Sequence, residues 1–160
     1  VGMPDERVTI ETSILWPIYP GGLVLVRAAL PATGAGQALV GIQGQLPEFR
    51  EAEGTFHNVN LHLGWRQHFG LGFHADAMIN GGWGHIEDST IAGRDYDSFD
   101  VELMAAAGWR VSYNRLHLLL QPAGFGYVAY KSNPWPIEGQ GTPRTEGPFY
   151  VGNVIFGLDL

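Results

Sequence analysis

At 160 residues, the chain is large enough to close one barrel or sandwich and too small for two cores, so residues 1–160 read as a single domain. A formal net charge of −7 with no cluster of Lys and Arg argues against a nucleic-acid partner, and zero cysteines exclude a disulfide scaffold and a thiolate metal site. Only 16% of the residues are charged, against about a quarter in an ordinary soluble domain, while 45% are hydrophobic and 23 are glycine, so the water-facing surface is small or unusual.

No run approaches the roughly 18 apolar residues of a spanning helix. The opening VGMPDER lacks the basic-then-apolar pattern of a signal peptide, so an exported form is expected here as the mature chain after signal-peptide removal. What the chain does show, repeatedly, is a period of two. Successive side chains leave a strand on opposite faces, so alternation of apolar and polar residues marks a half-buried or half-lipidated strand.

The first such segment is residues 8–18, with Ile10, Thr12, Ile14, Trp16 and Ile18 on one face and Glu11 and Ser13 on the other. Pro17, Pro20, Gly21 and Gly22 turn the chain into residues 23–30, where Val24, Val26, Ala28 and Leu30 oppose Arg27. After a Gly-containing turn without the spacing of a phosphate loop, residues 37–46 set Ala38, Val40, Ile42 and Leu46 against Gln43 and Gln45. The charged stretch PEFREAEGTF reads as a loop. Residues 58–66 then separate Val59, Leu61, Leu63 and Trp65 from Asn58, Asn60, His62 and Arg66.

A tight turn is expected around His68. The fifth strand then begins at Phe69, with Leu71, Phe73, Ala75, Ala77, Ile79 and Trp83 opposite His74, Asp76 and Asn80. The longest alternation follows the loop GHIEDSTIAGRDYD: in residues 99–113, Phe99, Val101, Leu103, Ala105, Ala107, Trp109, Val111 and Tyr113 oppose Asp100, Glu102, Arg110 and Ser112. Asn114 and Arg115 make the shortest turn. Residues 116–130 place Leu116, Leu118, Leu120, Val128 and Tyr130 against His117 and Gln121. A long irregular segment leads to the last strand, in which Tyr150, Val154, Phe156, Leu158 and Leu160 alternate with Asn153 and Asp159.

Eight strands and no helix predict an all-β, eight-stranded antiparallel up-and-down barrel. Short connections after the second, fourth and sixth strands and long, polar ones after the third, fifth and seventh are the pattern of a transmembrane barrel. Orientation follows from the faces. The apolar face carries no charge, and it holds too many large groups for a closed eight-strand interior. Aromatics gather at strand ends as interfacial girdles: Trp16, Trp65, Phe69, Trp83, Phe99, Trp109, Tyr113 and Tyr130.

On strand count, alternation and girdles, the chain resembles the small outer-membrane barrels of Gram-negative bacteria, of the OmpA/OmpX type, over essentially its whole length. Leu160 stands where such barrels usually place a terminal aromatic. The resemblance implies integral residence in the bacterial outer membrane, with membrane lipid and lipopolysaccharide as partners.

In that orientation the lumen receives Glu11, Arg27, His62, Arg66, His74, Asp76, Asp100, Glu102, Arg110, His117 and Asp159. In its lower half three arginines face three carboxylates, the near-neutrality that a salt-bridged plug requires. A hairpin of the fourth and fifth strands is expected to pair His62 with His74 or Asp76. A His beside an Asp could be an oriented base, and outer-membrane lipid-A deacylases and palmitoyltransferases are the relevant enzymes. The deacylase type carries a His-x-Ser-Asn stretch in a late strand, whereas here Leu118 and Leu119 follow His117.

The acidic run DYDSFD lacks calcium-loop spacing and reads as a solvated loop. No metal and no cofactor are expected. The expectation is a structural or interaction protein, not an enzyme, that presents its loops or a protruding sheet edge to a protein partner, either alone or within an envelope complex. The alternatives are a lipid-modifying enzyme using His62, His74 and Asp76, and a soluble lipocalin-like barrel around an apolar ligand.

Overall fold

The computed structural model describes residues 7–15, 23–50, 54–87, 95–133, 147–150 and 152–160. The strands are β1 (Thr9–Ser13), β2 (Leu23–Pro31), β3 (Gly36–Arg50), β4 (Gly54–Gly70), β5 (Phe73–Glu87), β6 (Tyr96–Tyr113), β7 (Leu116–Lys131), β8 (Gly147–Tyr150) and β9 (Asn153–Asp159). Each pairs antiparallel with its chain neighbour from β1 to β7. β8 and β9 follow one another along β7 and together form the eighth stave. β9 also pairs with β1, Glu11 opposite Gly157, which closes an eight-stave up-and-down barrel.

The outside is apolar. Ile42 and Val59 are 61% and 66% exposed, and Ile10, Val26, Val40, Leu61, Leu63, Ile79, Leu103, Val111, Leu118 and Phe156 share that surface. Inside, Thr9, Glu11 and Ser13 of β1 are buried, as are Arg27, His62, Arg66, His74, Asp76 and His117. Alternation therefore reads correctly along most staves. The lumen also contains an apolar cluster, Leu25, Ala29, Leu39, Met78, Met104 and Ala106, against which Leu23 and Phe149 pack. Glycines make room for these large inward groups. A Cβ on Gly126 would lie 2.2 Å from the Phe149 ring, and one on Gly41 would lie 2.4 Å from Arg27 Cβ.

Several boundaries differ from those that alternation predicts. The fourth strand does not turn at His68: β4 runs on to Gly70, Phe69 belongs to it, and β5 begins at Phe73. The turn lies in a Gly-Leu-Gly triplet whose φ angles are all positive, 91°, 51° and 79° for Gly70, Leu71 and Gly72. Glycine adopts that region freely, so the two flanking glycines fix the turn there and hold Leu71 in it. His68 consequently faces His74 across the ladder, Arg66 faces Asp76, and His62 faces Asn80, not His74 or Asp76.

The charged stretch 47–56 is not a long loop either. β3 and β4 pair through Arg50 opposite Gly54, which leaves only residues 51–53 between them. Backbone pairing runs between N–H and C=O groups, so a stretch of charged residues can still form a ladder.

On β7, alternation places Val128 outside, but it faces in. A bulge in β7 near Pro122 inserts an extra residue between the pairs Ala107–Ala123 and Trp109–Leu120 and inverts the phase, so Gly124, Gly126 and Val128 face in. A second bulge, between Tyr130 and Val128, returns Tyr130 to the outside. Ile14 and Leu15 end the described part of the first stave, and Trp16 lies outside the described residues.

Candidate functional site

The chemistry of the molecule is concentrated in the lumen. Glu11 on β1 sits directly opposite Arg27 on β2, and Arg66 on β4 directly opposite Asp76 on β5. All four side chains are essentially without solvent contact, at 0–1%. Arg27 Nε donates to Glu11 Oε2 at 2.7 Å, and Arg27 Nη2 reaches Asp76 Oδ2 at 3.3 Å. Arg66 Nη1 donates to Glu11 Oε1 at 2.5 Å, while its Nε and Nη2 grip the two Asp76 oxygens at 2.8 and 2.9 Å. Two cations and two anions thus form a closed quartet, each carboxylate shared by both guanidinium groups. Shared, multiply hydrogen-bonded geometry of this kind is what offsets the desolvation of buried charge.

Three histidines, His62, His74 and His117, lie around the quartet. Arg27 Nη1 contacts His62 Nε2 at 3.2 Å. A guanidinium can only donate, so this ring nitrogen accepts, and the ring proton resides on Nδ1, which donates to Asn80 Oδ1 at 2.8 Å. Gln121 Nε2 donates to Asp76 Oδ2 at 2.8 Å and lies 3.1 Å from His74 Nε2. His117 Nε2 is 3.4 Å from Glu11 Oε1; its ring occupies the space that a Cβ on Gly157 would need, 2.1 Å away.

Near the short-turn end, Arg110 Nη2 donates to both Asp159 oxygens at 2.7 and 2.8 Å, and Thr9 Oγ1 donates to Asp159 Oδ1 at 3.1 Å. His68, read from sequence as a turn residue, is buried in the lumen with Nε2 3.0 Å from Gln37 Oε1. The structure thus brings Glu11, Arg27, Arg66, Asp76, His62, His74 and His117 together, with Arg110 and Asp159 below them.

Asp100 and Glu102 stand apart, nearer the loop end. Lys131 Nζ donates to Asp100 Oδ2 at 2.9 Å, and Asn80 Nδ2 contacts Glu102 Oε2 at 3.4 Å. The residues of the acidic run diverge: Asp100 turns inward, whereas Asp97 lies on the exposed face. There it accepts from Trp83 Nε1 at 3.1 Å and lies 2.7 Å from His85 Nδ1. Those two bonds, His85 first, hold the Asp97 carboxyl below its ordinary range. Among the described residues no group of three or more His, Asp or Glu side chains is placed to hold a metal ion.

The aromatics Trp65, Phe69, Trp83, Phe99, Trp109, Tyr113 and Tyr130 all lie on the outer surface. Trp83 pairs with Phe99 toward the loop end, and Phe73 with Trp109 toward the short turns, their rings 5.7 Å apart. Phe69 adds to the second group, 5.7 Å from Phe73. No protein-family model, no curated protein and no solved structure matches the chain.

Proposed function

We propose that this chain is an integral β-barrel of the bacterial outer membrane, of the small OmpA/OmpX kind. In this reading its lumen is sealed by side chains, and it acts as a structural or interaction protein through its loop end. The observation that carries the reading is the inversion of polarity across the wall. Glu11, Arg27, Arg66 and Asp76 are among the least exposed side chains, while every stave turns large aliphatic or aromatic groups outward, Ile10, Val26, Ile42, Leu61, Ile79, Leu103, Leu118 and Phe156 among them, even though Leu25, Leu39, Leu119 and Ile155 face in. Water as the outer solvent would favour the reverse, whereas lipid favours this arrangement. The two levels of outward aromatics match interfacial girdles.

Crossing the bilayer takes about 9–11 residues per strand. β3, β4, β5 and β6 have 15, 17, 15 and 18, so on this reading one side of the sheet rises beyond the membrane and offers its edge to a partner strand. Lipid and lipopolysaccharide are then the partners of the wall. The lipid-modifying alternative draws no support from the contacts of His62 and His74, because no hydroxyl among the described residues hydrogen-bonds either ring.

The test is a heat-modifiability gel on protein folded in detergent, together with planar-bilayer recording. The expected results are a mobility shift on boiling and no steady large conductance. A protein that stays monodisperse without detergent would overturn the membrane reading, and stable open channels would overturn the sealed lumen.

A further inference from the structure

The tip of the β4–β5 hairpin is unusual in two respects. Gly70 pairs with Phe73, so Leu71 and Gly72 are the two turn residues, and both have positive φ, 51° and 79°. Such a turn ordinarily takes Asn or Asp followed by Gly, because those short polar side chains tolerate the left-handed region. Here a leucine occupies it. Leu71 is also 88% exposed, the highest value among the large apolar side chains of the described residues. A side chain suited neither to its backbone conformation nor to water gains from an apolar surround.

The outer side of this tip supplies no competing polarity. Residues 67–75, QHFGLGFHA, hold no Asp, Glu, Lys or Arg, and both histidines turn into the lumen. Gln67, the outward amide, is engaged by the protein itself: it accepts from Trp65 Nε1 at 3.5 Å and donates to His68 O at 3.2 Å. Phe69 and Phe73 flank the leucine. Arg110 N donates to Gly72 O, and continuing that register sets Leu71 beside Val111 of β6, which still faces outward. The apolar wall thus runs unbroken to the turn. At the neighbouring tip, between β6 and β7, the same left-handed conformation is taken by Asn114, φ 55°, and a charged residue, Arg115, follows it; both are exposed.

We propose that the β4–β5 turn is a membrane anchor: Leu71 inserts at the boundary of headgroups and acyl chains in the leaflet on the short-turn side, while the Asn114–Arg115 tip stands in water. Continuity with the outer wall selects lipid over a docked protein, since a protein interface carries a polar rim and residues 67–75 present no free polar group outward. This anchor rests on the membrane reading above and adds to it an uneven border, sunk on the β4–β5 side. It also gives Leu71 a role that neither strand pairing nor lumen packing supplies.

The chain has no cysteine, so single-cysteine variants can each carry one nitroxide label. Leu71→Cys, Leu103→Cys on the wall and Arg115→Cys at the neighbouring tip are folded into phosphatidylcholine vesicles, the gel shift on boiling certifying each. Collisions of the label with oxygen, which partitions into lipid, are compared with collisions with a water-soluble nickel chelate. Oxygen is expected to dominate in Leu103→Cys and Leu71→Cys, and the chelate in Arg115→Cys. Dominance of the chelate in Leu71→Cys, with oxygen dominant in Leu103→Cys, overturns the anchor and leaves the membrane reading intact; dominance of the chelate in Leu103→Cys overturns both. A label in Leu71→Cys that is shielded from both reagents means that a protein surface, a second copy included, covers the turn, and it also overturns the anchor. Leu71→Asn suits the turn and not lipid, so its urea midpoint in vesicles is expected to fall below that of the wild type, and a rise overturns the anchor.

Discussion

Replacing Arg66 by methionine removes a side chain of similar length together with the bonds that fix both carboxylates of the quartet. Four hydrogen bonds are lost, at 2.5 and 3.2 Å to Glu11 and at 2.8 and 2.9 Å to Asp76. Arg27 then faces two buried carboxylates alone, and one negative charge is uncompensated where no solvent reaches it. Breaking a buried pair in this way costs about 3–5 kcal/mol, roughly two to four orders of magnitude in the folding equilibrium. The assay is equilibrium urea unfolding in lipid vesicles, followed by tryptophan fluorescence. A second substitution, Glu11→Gln, restores one cation to one anion, so the Arg66→Met/Glu11→Gln double variant is expected to be more stable than Arg66→Met alone. A loss below about 1 kcal/mol, the value of an exposed ion pair, would mean that water screens the quartet, and the side-chain plug would be refuted.

Gly157→Ala forces a methyl group into the His117 ring, 2.1 Å from Nε2, and is expected to cost about 1–3 kcal/mol by overpacking. Gly81→Ala, whose nearest neighbour would be 3.8 Å away, is the mild control, and equal losses in urea would contradict the packing argument. Leu103→Arg places a charge near the middle of the outer wall; vesicle-folded protein should lose about 2–4 kcal/mol if that wall meets lipid. A negligible change would point to an aqueous surround. Asp97 titrates below its ordinary range because it accepts from His85 and Trp83. The folded form is therefore favoured above the unfolded carboxyl's pKa, and that contribution disappears as pH falls through the lowered folded value. The Trp83 indole proton resonance, followed by NMR, should shift with a midpoint below the ordinary aspartate range, and Asp97→Asn should abolish the shift.

Alternation made the facing of most staves legible because a single register decides every side chain at once. Glu11, Arg27, Arg66 and Asp76 stood out as lone charges within apolar runs. Four things were hidden. The apolar cluster of Leu25, Leu39 and Met104 lies in stretches such as LVLV and ALV, where both faces are apolar and a period of two carries no signal. The partner of His62 depended on the position of one turn, and the Gly-Leu-Gly triplet that fixes it is a stronger cue than the histidine beside it. Val128 was inverted by a bulge, for which Pro122, unable to donate to a ladder, was the available sign. Orphan amides such as Asn60 Oδ1 are visible only once neighbouring strands have been set side by side.

The seam between β1 and β9 has a kinetic meaning. Thr9 pairs with Asp159, and Val8 O accepts from Leu160 N, contacts about 150 positions apart in sequence, whereas every other stave joins a neighbour in sequence. Loop-closure entropy makes such a contact late, after the hairpins have formed. Until it forms, the sheet has two bare edges and the arginines remain hydrated. The last stave is thus a latch: sealing it dehydrates the charges and removes the edges in one step. A chain shortened by residues 153–160 should accumulate as an open, self-associating sheet in place of a smaller barrel.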